Sequence, residues 1–406
     1  MSEWTRKTIA ECADNEPYST QIGPFGKALT PEEYTLSGVP LLRGVNVNHG
    51  RFYDDGFVFI SEETANRLYK YESYPGDVLL VHKGTLGQIG LMPKKRKYHR
   101  YIMGNSMLRV KCDEKKLMPE YLYYWLCSRE GQHYLLSRVS QVGVPQIQKP
   151  LATLREASLL VPSLNEQKAI THILETIDNK IENLGRQNET LEQIAQTLFK
   201  HWFIDFEFPN ADGKPYKSSG GAMSPSELGD IPEGWRVEIL KNIMTLNYGK
   251  SLTAENRING KYPVVGSNGI VDTHTDFFVK GPGIVIGRKG TIGKVIWIEE
   301  NFYPIDTTFY IEDNLGCEGL YFHYFLLKNQ KFNKLTSDSA VPGLNRDMAY
   351  SVEFAISSNA LINQYNSIAK TIFHKINNNE KQIQTLTKTR DALLPKLMSG
   401  QLRVKE

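Results

Sequence analysis

Cysteine is scarce: there are four in 406 residues, Cys12, Cys112, Cys127 and Cys317, and no two of them are closely spaced. That pattern excludes a disulfide framework and offers no zinc-ligand spacing, so the thiols are expected to be buried and reduced. Long apolar runs are also missing. No window approaches the roughly 18 apolar residues that span a bilayer, and the opening MSEWTRKTIAECADNEP lacks the apolar core of a signal peptide, so a cytoplasmic protein without a membrane partner is expected. Charge of one sign is not in large excess either. The formal net charge of +3 permits nucleic-acid binding without requiring it. With 40% hydrophobic and 23% charged residues, a chain of this length suits two or more globular domains, each burying its own core.

Catalytic signatures are absent too. Tyr248-Gly249-Lys250-Ser251 resembles the end of a phosphate-binding loop, but the glycine needed five positions before Gly249 is Met244. Gly281, Gly283 and Gly287 have the wrong spacing for a dinucleotide fingerprint and read as the start of a strand. No Asn-Pro-Pro-aromatic or Asp-Pro-Pro-aromatic tetrapeptide is present, so no methyl transfer to an amine is expected. Asp205-Phe206-Glu207 reads as a helix-to-linker junction rather than a nuclease metal pair, and none of the nine histidines belongs to a recognisable triad motif. No metal site, no cofactor and no catalytic residue are expected in this chain.

What is present is repetition. Trp4 matches Trp235, Pro40 matches Pro263, and Lys83-Gly84-Thr85-Leu86-Gly87 matches Lys289-Gly290-Thr291-Ile292-Gly293. Val144-Pro145 then matches Val341-Pro342, and the stretch 170–202 matches 365–397. The offsets fall steadily, 231, 223, 206, 197 and 195, so the second copy is the same plan with shorter loops. Each copy opens with a β-rich part in which Val78-Leu79-Leu80-Val81, or Ile284-Val285-Ile286, runs into the Lys-Gly-Thr turn and a second strand. Aromatic-rich helices at 119–126 and 319–326 read as core. The predicted segments are a first module at 1–160, a long helix at 161–208, a linker at 209–234, a second module at 235–357 and a distal long helix at 358–400.

The long helices carry a coiled-coil stripe. In the first it is Ile170, Leu174, Ile177, Ile181, Leu184, Leu191 and Leu198; in the second, Ile372, Ile376, Ile383, Leu386, Leu393 and Leu397. Asn188 and Asn379 are polar interruptions able to fix register. Ser163-Leu164-Asn165-Glu166 predicts a capping box at the first helix's start, and Pro395 predicts a kink or end in the second. Residues 209–234, rich in Gly, Ser and Pro, predict a flexible linker.

IPEGWRVEIL at 231–240, VPSLNEQKAI at 161–170, NETLEQIAQTLFKHWFIDF at 188–206 and LLPKLMSGQLRV at 393–404 resemble the specificity subunits of type I restriction-modification systems, over essentially the whole chain. The resemblance implies an α+β fold: two pseudo-twofold-related mixed α/β target-recognition domains joined by two long antiparallel coiled-coil helices. It implies a non-catalytic DNA-binding subunit that reads a bipartite, asymmetric target in double-stranded DNA. Two modification (methyltransferase) subunits and the restriction (motor-nuclease) subunits are the implied protein partners, with S-adenosylmethionine, ATP and Mg on those partners. The alternative from another class is the recognition half of a split or fused restriction-methyltransferase enzyme. Because the first module is 25 residues longer between its Trp and Lys-Gly-Thr landmarks, the two half-sites are expected to differ.

Candidate DNA contacts are Lys83 and Thr85, and Arg288, Lys289 and Thr291, at glycine-rich turns where backbone approaches phosphate and an arginine reaches a guanine edge. The basic block Lys94, Lys95, Arg96 and Lys97 is a second candidate, and Lys250 and Ser251 a third. Gln141, Gln146 and Asn345 lie in the loops around the two Val-Pro pairs.

Overall fold

The computed structural model describes residues 3–48, 51–140, 143–332, 335 and 343–404. It divides into two compact units, Met1–Glu182 with Gln384–Glu406, and Asn183–Ile383. The division falls inside the long helices, so each unit holds one module and a length of both helices.

The two units share a plan. In the first, a four-stranded antiparallel sheet runs Thr20–Ile22, Met107–Val110, Val78–Val81, Ile89–Leu91. In the second the order is Met244–Tyr248, Thr308–Asp313, Gly283–Gly287, Val295–Ile298. The third strand of each, Val78–Val81 and Gly283–Gly287, is buried throughout, which explains why both read as unbroken apolar runs rather than alternating ones. The aromatic-rich helices Pro119–Cys127 and Tyr321–Lys328 bury nearly all their side chains. A second sheet in each unit is built on Val39–Leu42 or Tyr262–Gly266, each paired in parallel with a short strand, Ile102–Met103 or Tyr303–Pro304. The extra length of the first module is a small hairpin, Val47–Asn48 with Arg51–Phe52, and the helix Glu62–Arg67. The second unit turns directly from Gly266 to Gly269.

The central long helix is Leu164–Phe203 and the distal one Asn359–Met398, 40 residues each and therefore about 60 Å long at about 1.5 Å per residue. Within each unit their segments run antiparallel. In the first, Arg390 Nη1 lies 2.9 Å from Asp178 Oδ1. In the second, the Tyr365 hydroxyl donates to the Ala195 carbonyl at 3.0 Å and Asn379 Nδ2 to Asn188 Oδ1 at 2.8 Å. Of the predicted stripe, Ile170, Leu174, Ile181, Leu184 and Leu397 are buried, while Ile177, Leu191, Leu198, Ile372, Ile376, Ile383, Leu386 and Leu393 are half-buried.

The helix ends serve the modules as much as each other. Ile170, Leu174, Leu394, Leu397 and Met398 join the core of Tyr121, Leu122 and Trp125. Phe199, Phe203, Tyr365 and Phe373 join that of Phe322 and Phe325.

At the start of the central helix Ser163 Oγ accepts from Glu166 N at 3.2 Å, as expected of an N-cap, and the Glu166 carboxylate also holds Trp4 Nε1 at 3.0 Å and Arg403 Nε at 2.6 Å. Several local expectations are corrected. Pro395 does not end its helix, which continues to Met398, because a proline in the last turn costs only one ladder bond. Residues 209–234 are not a loose tether: Tyr216 stacks on Phe208 at 4.5 Å, Phe208 on Trp235 at 5.3 Å, and Glu207 accepts from Ser218 N at 3.0 Å. Cys12 and Cys112 are buried, but Cys127 and Cys317 are half-buried. Burial pushes all four thiols above their ordinary values, which disfavours the reactive thiolate. No described helix is long and apolar enough to cross a membrane.

Candidate nucleic-acid interface

The Lys-Gly-Thr turns follow the buried third strand of each sheet. Gly84 and Gly87, and Gly290 and Gly293, all have φ between 76° and 89°, so the glycines are demanded by the backbone. A Cβ on Gly287 would lie 2.0 Å from the Thr291 carbonyl oxygen. The turn's glycines are therefore structural, and what they do is present Lys83 and Thr85, or Lys289 and Thr291, to solvent, where all four are exposed.

Sequence reasoning treated these turns and the Val-Pro loops as separate candidates, and the fold joins them. Gly84 N donates to the Pro145 carbonyl at 3.0 Å, Ile147 N donates to the His82 carbonyl at 2.9 Å, and Lys83 bridges Gln146. In the second unit Leu344 N donates to the Arg288 carbonyl at 2.8 Å and Lys289 bridges Gly343. The end of the first strand arrives at the same place: Gly23 N donates to the Met107 carbonyl at 2.9 Å and Gly249 N to that of Thr308 at 3.1 Å. Both glycines are needed for close approach, since a Cβ would sit 1.9 Å from the Gly104 oxygen and 2.1 Å from the Ile305 oxygen respectively. Gly249 is thus a packing glycine, not part of a phosphate-binding loop.

One sheet end in the second unit therefore gathers Lys250, Ser251, Arg288, Lys289, Thr291 and Asn345. Asn345 has a further duty: its Oδ1 accepts from Asp347 N at 2.9 Å and Met348 N at 3.1 Å, capping the helix Arg346–Tyr350. In the first unit Lys83, Thr85 and Gln146 converge likewise, whereas Gln141 lies outside the described residues, as do Val341 and Pro342.

The basic block Lys94–Lys97 is not brought to this surface. The hairpin pairs Leu80 with Ile89 beside the Lys-Gly-Thr turn and Val78 with Leu91 beside the block, so the two lie at opposite ends. Nor is the block a hairpin tip, because the strands flanking it belong to different sheets. Arg96 packs over the Tyr101 ring at 5.8 Å, and Arg100 pairs with Glu62 at 2.8 Å and Glu72 at 2.9 Å.

The two frames hold different side chains. Position by position, the backbone bonds set His82 against Arg288: His82 N donates to Ser106 O at 2.9 Å and Arg288 N to Thr307 O at 2.9 Å. His82 is 6% exposed, with Nε2 3.1 Å from the Asn105 carbonyl. Burial, with nearby Lys83 adding to it, holds its imidazole below the ordinary value, so the neutral ring donates through Nε2. Arg288 instead reaches outward over Tyr248, its Cζ 5.0 Å from the ring centroid. Tyr248 and Arg346, whose Cζ is also 5.0 Å from that ring, were missed by sequence reasoning. The only sequence signal was the proximity of each to a residue already chosen.

Asp205 and Glu207 are occupied by Lys200 at 3.2 Å and Ser218. Among the described residues, no group of three or more His, Cys, Asp or Glu side chains is placed to hold a metal ion.

The family described as type I restriction modification DNA specificity domain matches residues 27–193 and 232–387, and the chain belongs to that family. A specificity subunit in Methanocaldococcus jannaschii, that of type I restriction enzyme MjaIX, is 28% identical over 356 residues, covering 82% of this chain and 78% of the relative. The HindI specificity subunit of Haemophilus influenzae is 23% identical over 382 residues, covering 74% of this chain and 81% of that one. The crystal structure of a type I restriction-modification S subunit from M. genitalium shares the fold, with a TM-score of 0.57 at 19% identity, covering 98% of this chain and 96% of that one. Specificity subunits are the non-catalytic, DNA-sequence-specifying members of type I complexes.

Proposed function

We propose that this chain reads a bipartite, asymmetric DNA target, one half-site per unit, and scaffolds the modification and restriction subunits that carry the chemistry. The observation that carries the reading is the repeated frame of Lys-Gly-Thr turn, facing loop and strand-end glycine, fitted with different side chains in the two units. Exposed Lys83 and Lys289, with Thr85 and Thr291, suit phosphate contacts, which fix register without carrying sequence information. The differing neighbours, buried His82 and half-buried Ile22 in one unit, Arg288 and exposed Tyr248 in the other, give the two frames different surfaces to set against base edges. The domain limits in this reading are those of the sequence segments, with 1–160 and 235–357 as the recognition modules.

The experiment is methyl transfer from labelled S-adenosylmethionine by the purified chain with and without a modification subunit, followed by mapping of the product. The expected result is methylation only with the modification subunit, at one split motif whose halves are not reverse complements. Transfer by the chain alone, or a contiguous palindromic motif, contradicts the proposal.

A further inference from the structure

Beside the turn of the second unit, two arginines converge on one aromatic ring. Arg288 lies over Tyr248 at 5.0 Å and Phe309 at 5.8 Å, and Arg346 over Tyr248 at 5.0 Å and Tyr350 at 6.0 Å. Tyr248 is 48% exposed, so the cluster is at the surface. Like charges gathered this closely ordinarily recruit a carboxylate. Among the described residues, neither guanidinium has one within ion-pair distance, and the buried Nε of each has no hydrogen-bond partner. Arg288 is tied down by one bond, Nη2 to the Asp306 carbonyl at 3.0 Å. Among the described residues Arg346 has no such tie, and its backbone is fixed by the Asn345 cap.

We infer that Arg346 reads a guanine in the half-site of the second unit, with Arg288 and Tyr248 as positioning residues; this rests on the reading that each unit takes one half-site. The chemistry selects guanine. A guanidinium presents parallel N–H donors in a plane, matching the O6 and N7 acceptors on the major-groove edge of guanine, whereas adenine offers N7 beside an N–H donor. An aromatic face orients a guanidinium while leaving its donors outward. Phosphate needs no such orientation, and exposed Lys289 and Lys250 already supply point charge there. Among the described residues the first unit has no such cluster: the equivalent strand end carries Ile22 for Tyr248 and the equivalent turn carries buried His82 for Arg288.

The test uses the complex assembled with its modification subunit. Methylation mapping first gives the target. Each guanine of the second half-site is then replaced by 7-deazaguanine, which keeps base pairing and removes the N7 acceptor. Binding should weaken about fivefold to a hundredfold at one position. Arg346→Lys, which keeps the charge but lacks the fork, should abolish that sensitivity and admit other base pairs at that position. Tyr248→Phe, which keeps the ring, should behave as the parent. The inference is overturned if the second half-site contains no guanine, or if Arg346→Lys retains both the sequence and the 7-deazaguanine penalty. It is also overturned if that variant binds all sequences uniformly more weakly with a reduced salt slope, the mark of a phosphate contact. Altered preference in the first half-site would instead overturn the assignment of one half-site to each unit.

Discussion

Asp77 is 1% exposed, accepts from Tyr74 N at 2.7 Å and faces Arg109 Nη1 at 3.6 Å. Burial outweighs the guanidinium and the amide and pushes its carboxyl up to about 6. The folded unit therefore binds this proton more tightly than the unfolded chain, whose aspartate titrates near 3.9. The stabilisation is full below about pH 4 and is lost as the pH rises through about 6, a change on the order of 2 kcal/mol. Asp77→Asn should remove that dependence: relative to the variant, the parent should be more stable at pH 4 than at pH 7.5 by about that amount. Urea unfolding of both proteins at the two pH values measures it, and parallel pH profiles would contradict it. Glu166 acts in the opposite sense. Its burial is outweighed by Arg403 and Trp4, its carboxyl lies below the ordinary value, and its contribution is lost as the pH falls through that lowered value.

At the scale of elements, the polar interruption of the seam is a pair in contact. Asn379 is fully buried, donates to Asn188 Oδ1 at 2.8 Å, and among the described residues its own Oδ1 has no partner. Such a pair fixes register at the expense of stability. Asn379→Leu alone removes the donor to Asn188 Oδ1 and should destabilise by about 1–3 kcal/mol, whereas the double change to leucine should recover that loss or exceed the parent. Thermal unfolding of the two variants checks this, and a double variant no better than the single would contradict it. The pair was legible in the sequence because it falls on the heptad stripe. The aromatic residues of the helix ends were not, since Phe199, Phe203 and Phe373 lie off that stripe and face module cores that only tertiary packing brings to them. The stacking of Phe208 between Tyr216 and Trp235 was hidden for the same reason: the intervening residues carry loop chemistry, and what orders them is an aromatic surface distant in sequence.

At the scale of the whole chain, duplication was the most readable property, because collinear landmarks survive where identity does not. The candidate contacts were legible at their glycines, whose positive φ leaves a sequence trace, and the joining of turn to facing loop was not, since backbone bonds such as Leu344 N to Arg288 O have no side-chain signature. The account rests on each unit carrying its own core and its own contact frame. The most direct measurement is methylation mapping of a complex in which residues 236–355 are replaced by the equivalent module of a relative. The account predicts that one half of the split target changes while the other half keeps its sequence; a target altered in both halves, or in neither, would contradict it.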